Sequence, residues 1–156
     1  MRHFLFVAAF ALVICSGRPQ AQNVPPTCPV THPNGQGTFL EQAMPHFHGN
    51  GALRVGFGDF PDGVLVFPGN VGIVFSDGSL RWPKVQWRRG VRGQLTITGH
   101  RLDGDARPLQ AEIPSGYGDT GLQPTALTFP TPGCWEITGR VGASTTLTFT
   151  INVVKS

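Results

Sequence analysis

The chain has 156 residues, of which 12 are Lys or Arg, nine are Asp or Glu, 21 are Gly and 14 are Pro. Charged residues make up only 13% of it, against about 25% in typical soluble proteins. This composition is typical of a turn-rich, all-β domain. It excludes the strongly basic balance that a nucleic-acid-binding domain needs.

The first 22 residues predict a secretory signal peptide. Arg2 and His3 give a short positive start, Phe4 to Cys15 is an unbroken apolar run, and small residues suit cleavage near Ala21. The apolar run is shorter than the about 20 residues of a membrane-spanning helix, so no transmembrane segment is predicted. We therefore expect export, either to the periplasm or to the outside of the cell.

Removal of this segment would change the net charge of the chain. Arg2 and Arg18 leave with it, so ten basic residues face nine acidic ones and the net charge falls to +1. The basic pI of the precursor therefore says little about partners.

Lipidation of Cys15 is disfavoured because the bulky Ile14 precedes it, where lipoprotein signals have a small residue.

The mature chain keeps two cysteines, Cys28 and Cys134. An even pair in an oxidising compartment favours a disulfide bond. A loop of about 100 residues would gain about 4 to 5 kcal/mol from such a bond in the chain-entropy model. The alternative is two free thiols, one of them reactive or bound to a metal.

Residues 23–50 are rich in Pro, Gly, Asn and Thr and show neither helical nor strand periodicity. We predict an extended arm that is held by Cys28, with regular structure beginning near Ala52. The remaining residues, 51–156, are of the length of one domain.

Short apolar runs separated by turn pairs such as Asp62-Gly63 and Pro132-Gly133 fill this domain. Asp-Gly pairs supply the positive φ that hairpin turns require, and no run has a helical period. Short strands at this spacing predict a β-sandwich or barrel. The predicted strands are Ala52–Phe57, Val64–Phe67, Gly72–Phe75, Lys84–Trp87, Gln94–Thr98, Leu109–Ile113, Thr125–Phe129, Cys134–Val141 and Thr145–Val154.

Alternation along the last two runs predicts which face is buried. Leu147, Phe149, Ile151 and Val153 share one face of the final run. In the run before it Trp135 faces the core, so Cys134 faces outward. A disulfide bond at Cys134 would then pin the arm across the outside of the sandwich.

Four segments resemble a family of small secreted bacterial proteins: HGNGAL from His48, WRRGVRGQLTITGHRLD from Trp87, IPSGYGDTG from Ile113 and FPTPGCWEITGRVG from Phe129. The family's members look like single immunoglobulin-like domains behind a signal peptide. The resemblance implies export and an immunoglobulin-like antiparallel β-sandwich, whereas the predicted N-terminal arm before His48 resembles the family least. It implies no activity and no functional residues.

The window from Arg81 to Arg92 carries five basic residues and two tryptophans. Arginines can hold anionic groups and stack on aromatic rings, so we predict a binding surface formed by Trp82, Trp87, Arg88, Arg89 and Arg92. The alternative is a solvated hairpin whose arginine stems cover the tryptophans.

Met44, His46 and His48 alternate along an extended segment, which places all three side chains on one side. Imidazole and thioether groups are ligands for copper. A periplasmic copper-binding protein is therefore an alternative hypothesis; a solvated surface loop is the competing interpretation.

The glycine loop Gly116–Gly121 does not have phosphate-binding spacing, and no helix follows it. We expect a tight loop in which Asp119 bonds backbone amides and Tyr117 packs.

A catalytic triad could be assembled from Ser115, His100 and either Asp103 or Asp105, but no nucleophile elbow surrounds the serine. We therefore predict no catalytic residues and a non-enzymatic exported module that binds a protein, a glycan or the envelope surface.

Overall fold

The computed structural model describes residues 27–36, 46–69 and 72–156. The predicted signal peptide, Cys15 and the candidate ligand Met44 lie outside these ranges. Throughout the described ranges the regular structure is β-strand. No helix in them has the length and apolar character that crossing a membrane requires.

Eleven strands follow one another along the described chain, and each of the nine predicted runs overlaps one of them. Two strands, β1 and β2, precede Ala52, so the prediction that regular structure begins there is wrong. The strands are β1 (Gly35–Gln36), β2 (His46–Gly49), β3 (Leu53–Gly56), β4 (Val64–Phe67), β5 (Ile73–Val74), β6 (Leu80–Arg89), β7 (Leu95–Arg101), β8 (Gln110–Glu112), β9 (Gly121–Phe129), β10 (Gly133–Val141) and β11 (Thr145–Lys155).

The strands form two sheets that pack face to face. Sheet A has the order β1-β2-β3-β6-β9-β8, with β5 also paired to β6, and sheet B has the order β4-β11-β10-β7. All pairs are antiparallel except β4 with β11, which is parallel. The described chain is therefore an all-β, sandwich-like structure, as predicted.

The core lies between the two sheets and is built mainly from aromatic and branched aliphatic side chains. Trp87 of sheet A and Trp135 of sheet B are both fully buried. Gly139 leaves room for the Trp87 ring, since a Cβ atom there would lie 2.4 Å from Trp87 Cζ3. Phe149, Ile151 and Val153 are buried on one face of β11, which agrees with the predicted alternation.

A disulfide bond joins Cys28 to Cys134 across 106 positions of sequence. Trp135 points into the core, and Cys134 lies on the opposite face of β10, as alternation predicts. From there the chain reaches the edge of β11, where Thr31 N–H donates to Thr150 O and Thr150 N–H donates to Thr31 Oγ1. The described segment 27–36 then enters sheet A as β1, so it links one sheet to the other.

The strand β6 contains an irregularity at Pro83 and Lys84. Trp82 pairs with Leu127 and Val85 pairs with Thr125, so β6 has one residue more than β9 in this interval. Such a β-bulge changes the alternation locally. Trp82 and Val85 are consequently both buried, although they are three positions apart.

Candidate functional site

Sheet A is interrupted on one side of β6. On that side β5 pairs with Leu80 and Arg81, and β3 pairs with the stretch from Trp87 to Arg89. Between these two pairings, no strand in the described ranges adjoins β6. The interruption opens a cleft of about 420 Å³, which is within the usual size range of small-molecule sites.

This opening, the sheet A cleft, combines apolar and polar walls. Phe60, Trp82, Pro83 and Ile73 supply apolar surface, whereas Asp59, Lys84 and Gln86 supply polar groups. Phe60 and Trp82 meet edge to face with ring centroids 4.7 Å apart, so the apolar wall is anchored in the core. Gly56, Gly58 and Gly72 complete the lining.

Two polar atoms in cavity-lining residues lack partners. Within the described part of the chain, Gln86 Oε1 and Arg89 Nε are buried without a hydrogen-bond partner, as are His48 Nδ1 and Trp87 Nε1. Leaving a buried polar group unsatisfied costs about 1 to 3 kcal/mol. Gln86 lines the sheet A cleft, but its unpaired Oε1 is itself buried.

The structure does not bring the five predicted binding residues together on one surface. Trp82 and Trp87 belong to the core, and Arg89 is only 2% exposed. Arg88 and Arg92 are the exposed members. The reason is the alternation of β6, which sends Trp87 and Arg89 inward and Arg88 outward.

Arg89 lies in the wall of a second cavity, of about 380 Å³, which we call the Arg89 cavity. Its guanidinium donates to the carbonyl oxygens of Gly93 at 2.8 Å and of Tyr117 and Gly118 at 3.1 Å. These bonds hold the loop after β6 against the glycine loop. Gln123 Nε2, in the same wall, donates to Pro114 O at 3.0 Å.

The glycine loop is organised differently from the expectation. Asp119 accepts a hydrogen bond from Arg92 Nη1 at 3.3 Å, and Tyr117 is 45% exposed. Gly116 and Gly118 have positive φ, at 93° and 66°, which is a conformation that favours glycine. The expectation that Tyr117 packs is therefore wrong.

His46 and His48 lie on β2, and their predicted third ligand, Met44, is outside the described residues. The His48 ring meets Phe57 edge to face at 6.5 Å. Burial lowers the pKa of His48, against a smaller raising effect of a hydrogen bond with the His32 backbone. The described residues contain no group of three His, Cys, Asp or Glu side chains that could hold a metal, and copper binding stays a prediction.

The residues considered for a triad have other neighbours. His100 Nε2 lies 3.9 Å from Glu136 Oε1, and Arg101 Nε donates to Asp103 Oδ1 at 2.6 Å. Burial raises the pKa of Asp103, but hydrogen bonds with Arg101 and the Cys134 backbone outweigh this and hold it below its ordinary value. Ser115 lies in the Arg89 cavity.

Comparison with known proteins adds no relative: no family model matches the chain, and neither does any curated protein or solved structure.

Sequence reasoning missed the sheet A cleft, although one signal for it was present. Pro83 interrupts an otherwise strand-like stretch. Because proline cannot donate to a sheet ladder, it indicates a bulge or an unpaired edge. The other cleft residues, such as Asp59 and Ile73, come from distant turns and strands and carry no local signal.

Proposed function

We propose that this protein is an exported, non-enzymatic immunoglobulin-like module that binds a short carbohydrate segment in the sheet A cleft. The observation that carries the proposal is the interruption beside β6, where a concave opening with mixed walls replaces a paired strand. The cleft includes Trp82 and Lys84 from the basic and aromatic window that the sequence singled out.

Strand order supports the immunoglobulin-like part of the proposal. The order β3-β6-β9-β8 corresponds to the A-B-E-D sheet of that fold, and β7, β10 and β11 correspond to its C-F-G sheet. The disulfide bond differs from the antibody pattern, because Cys134 is joined to Cys28, which precedes the first strand, and not to a cysteine of the opposite sheet across the core. A disulfide bond is compatible with an oxidising compartment, which supports export.

The walls of the cleft favour a carbohydrate over a peptide. Sugar hydroxyls both donate and accept hydrogen bonds, and Asp59, Lys84 and Gln86 offer acceptors and donors. One carboxylate and one ammonium group leave the lining without net charge. Ile73, which is 45% exposed, and Pro83 provide most of the apolar surface for the C–H faces of a sugar ring, since Phe60 and Trp82 are only 8% and 3% exposed.

A peptide that added a strand to β6 would need a regular ladder of backbone donors and acceptors. Pro83 has no N–H, and the bulge between Trp82 and Val85 shifts the register. A large protein surface fits poorly too, because a standard interface needs about 800 Å² from each partner, whereas this opening is a narrow cleft.

The test is calorimetric titration of the purified, disulfide-bonded protein with a panel of neutral and acidic oligosaccharides, including envelope glycan fragments. The double variant Asp59→Ala with Lys84→Ala should weaken binding by about tenfold or more, equivalent to about 1.4 kcal/mol. The matched control is Asp105→Ala with Lys155→Ala, which changes the same residue types at exposed positions outside the cleft lining.

Unchanged affinity in the cleft variant, with the control also unchanged, would exclude the sheet A cleft as the site. Absence of binding to every oligosaccharide in the panel would remove carbohydrate from the proposal.

A further inference from the structure

A buried cation without a counter-charge lies at the far end of β6. Arg89 is 2% exposed, and all the acceptors around its guanidinium are neutral carbonyl oxygens. Among the described residues no carboxylate forms an ion pair with it. The carboxylate of Asp119, in the same loop, is instead paired with the exposed Arg92.

Buried charges in proteins are ordinarily paired with an opposite charge, because carbonyl hydrogen bonds replace only part of the lost hydration. The Arg89 Nε–H also lacks any acceptor, since this atom is buried without a partner. The guanidinium therefore lacks both an opposite charge and one acceptor.

The Arg89 cavity lies beside this cation. Its lining contains no Asp or Glu, so Arg89 is the only charged residue among the described residues that form its wall. Ser115, Gln94 and Tyr117 add hydroxyl and amide groups that can donate hydrogen bonds. Arg89 is therefore the only formal charge in this lining, and the available donors suit an anion's oxygens.

We infer that the Arg89 cavity is a binding site for an oxyanion, namely a carboxylate, sulfate or phosphate group. The bound anion supplies the opposite charge that no described side chain provides for Arg89. Guanidinium pairs strongly with such groups because the hydrogen bonds are charge-assisted. This site is separate from the sheet A cleft, and the inference does not depend on the carbohydrate proposal.

A purely structural role for Arg89 is the competing explanation. In that case Arg89 only clamps two loops through the carbonyls of Gly93, Tyr117, Gly118 and Thr120. The clamp accounts for those four hydrogen bonds, but it gives the guanidinium no opposite charge and the Nε–H no acceptor. The two explanations differ in whether added anions change the cavity.

The experiment is a titration of the ¹⁵N-labelled, disulfide-bonded protein with sodium sulfate, sodium phosphate and sodium acetate, at constant ionic strength maintained with sodium chloride. We expect saturable shifts of the Arg89 Nε–H signal and of the Ser115 and Gly116 amides. The acetate arm distinguishes a carboxylate site from a site for inorganic or esterified oxyanions.

Two variants with the same charge change make the result specific. Gln94→Glu places a carboxylate in the cavity lining, and Gln110→Glu places one on β8 outside that lining. Gln94→Glu should weaken anion binding by about tenfold or more, and Gln110→Glu should change it by less than about twofold. Both side chains are exposed, so both variants should fold.

Absence of a saturable shift with all three anions would overturn the inference and leave Arg89 as a structural clamp. Equal weakening by Gln94→Glu and Gln110→Glu would also overturn it, because the effect would then follow net charge. The cleft variant Asp59→Ala with Lys84→Ala should leave anion binding unchanged, which separates this test from the carbohydrate test.

Discussion

Sheets A and B use the same kind of strands but differ in continuity. In sheet B, β10 pairs with β11 from Gly133 to Val141 and with β7 from Trp135 to Val141, in regular register. In sheet A, β6 carries a bulge and an interruption, and both cavities have β6 residues in their walls. Among the described residues, none of the regular strand β10 lines either cavity, whereas the irregular strand β6 borders both, and sheet B contributes Leu95 of β7 to the Arg89 cavity.

The largest expected effect concerns the disulfide bond at Cys134, on β10 of sheet B. Replacing both Cys28 and Cys134 by alanine should lower the free energy of unfolding by about 4 kcal/mol, because a loop of about 100 residues is no longer closed in the unfolded chain. Denaturant unfolding measures this change. Hydrogen exchange should also accelerate at Thr31 and Thr150, which join the arm to β11.

A loss below about 1 kcal/mol would contradict the view that the arm is fastened to sheet B chiefly by this bond. Reduction of the unmodified protein is the control, since it breaks the same bond without removing side-chain volume.

The next effect tests the contact between the two sheets. Gly139→Ala places a methyl group against the Trp87 ring, 2.4 Å from Cζ3, and overpacking of this kind costs about 1 to 3 kcal/mol. Gly104→Ala is the matched control, because its new Cβ atom would lie 3.5 Å from the Arg101 guanidinium carbon, an ordinary contact. Equal thermal stability of the two variants would disprove a tight packing between Trp87 and Gly139.

A smaller effect on stability should depend on pH and come from His48, on β2 of sheet A. Burial lowers the pKa of His48 below its ordinary value of 6.5, so the folded state takes up this proton less readily than the unfolded state. Stability should therefore decline as the pH falls from about 6.5 through the lowered pKa of His48. The His48→Gln variant should lose part of this decline, as followed by denaturant unfolding between pH 7 and pH 5.

The same substitution at His100, whose imidazole is mostly exposed on β7, is the control for this measurement. A pH profile that is identical in the His48→Gln variant and the unmodified protein would show that burial of His48 is not linked to stability.

The smallest effect is expected in the sheet A cleft itself. Lys84 is exposed, and surface substitutions of this kind usually change stability by less than about 0.5 kcal/mol. Lys84→Ala should therefore leave thermal unfolding unchanged. A loss above about 1 kcal/mol would assign Lys84 a structural role and weaken the distinction between the two sheets.

Much of the fold could be predicted because it depends on neighbours in sequence. The runs around Val64–Phe67 and Thr145–Val154 show their strands through alternation and flanking turns. By contrast, β1 and β2 lie in a Pro- and Gly-rich arm without clear alternation, and they become strands because they pair with each other and with β3. Tertiary context outweighs weak local preference there.

The candidate sites were predicted less well, for two physical reasons. A cluster of Arg and Trp in sequence becomes a surface patch only if the side chains share a face, and the alternation of β6 separates Arg88 from Arg89. Arginine is also rarely buried, so no local pattern predicts that Arg89 is buried. The neighbours that surround it, including Tyr117 and Gly118, come from another loop.

By itself, the sequence determined the all-β class, the nine main strands, the inward direction of Trp135 and the pairing of Cys28 with Cys134. These properties follow from local periodicity, turn chemistry and the count of cysteines. Only the tertiary structure decided that the arm joins both sheets, that β6 is left unpaired between β5 and β3, and that Arg89 is buried beside a cavity. Each of these depends on which distant segments meet, and residue order along the chain does not encode that in any local pattern.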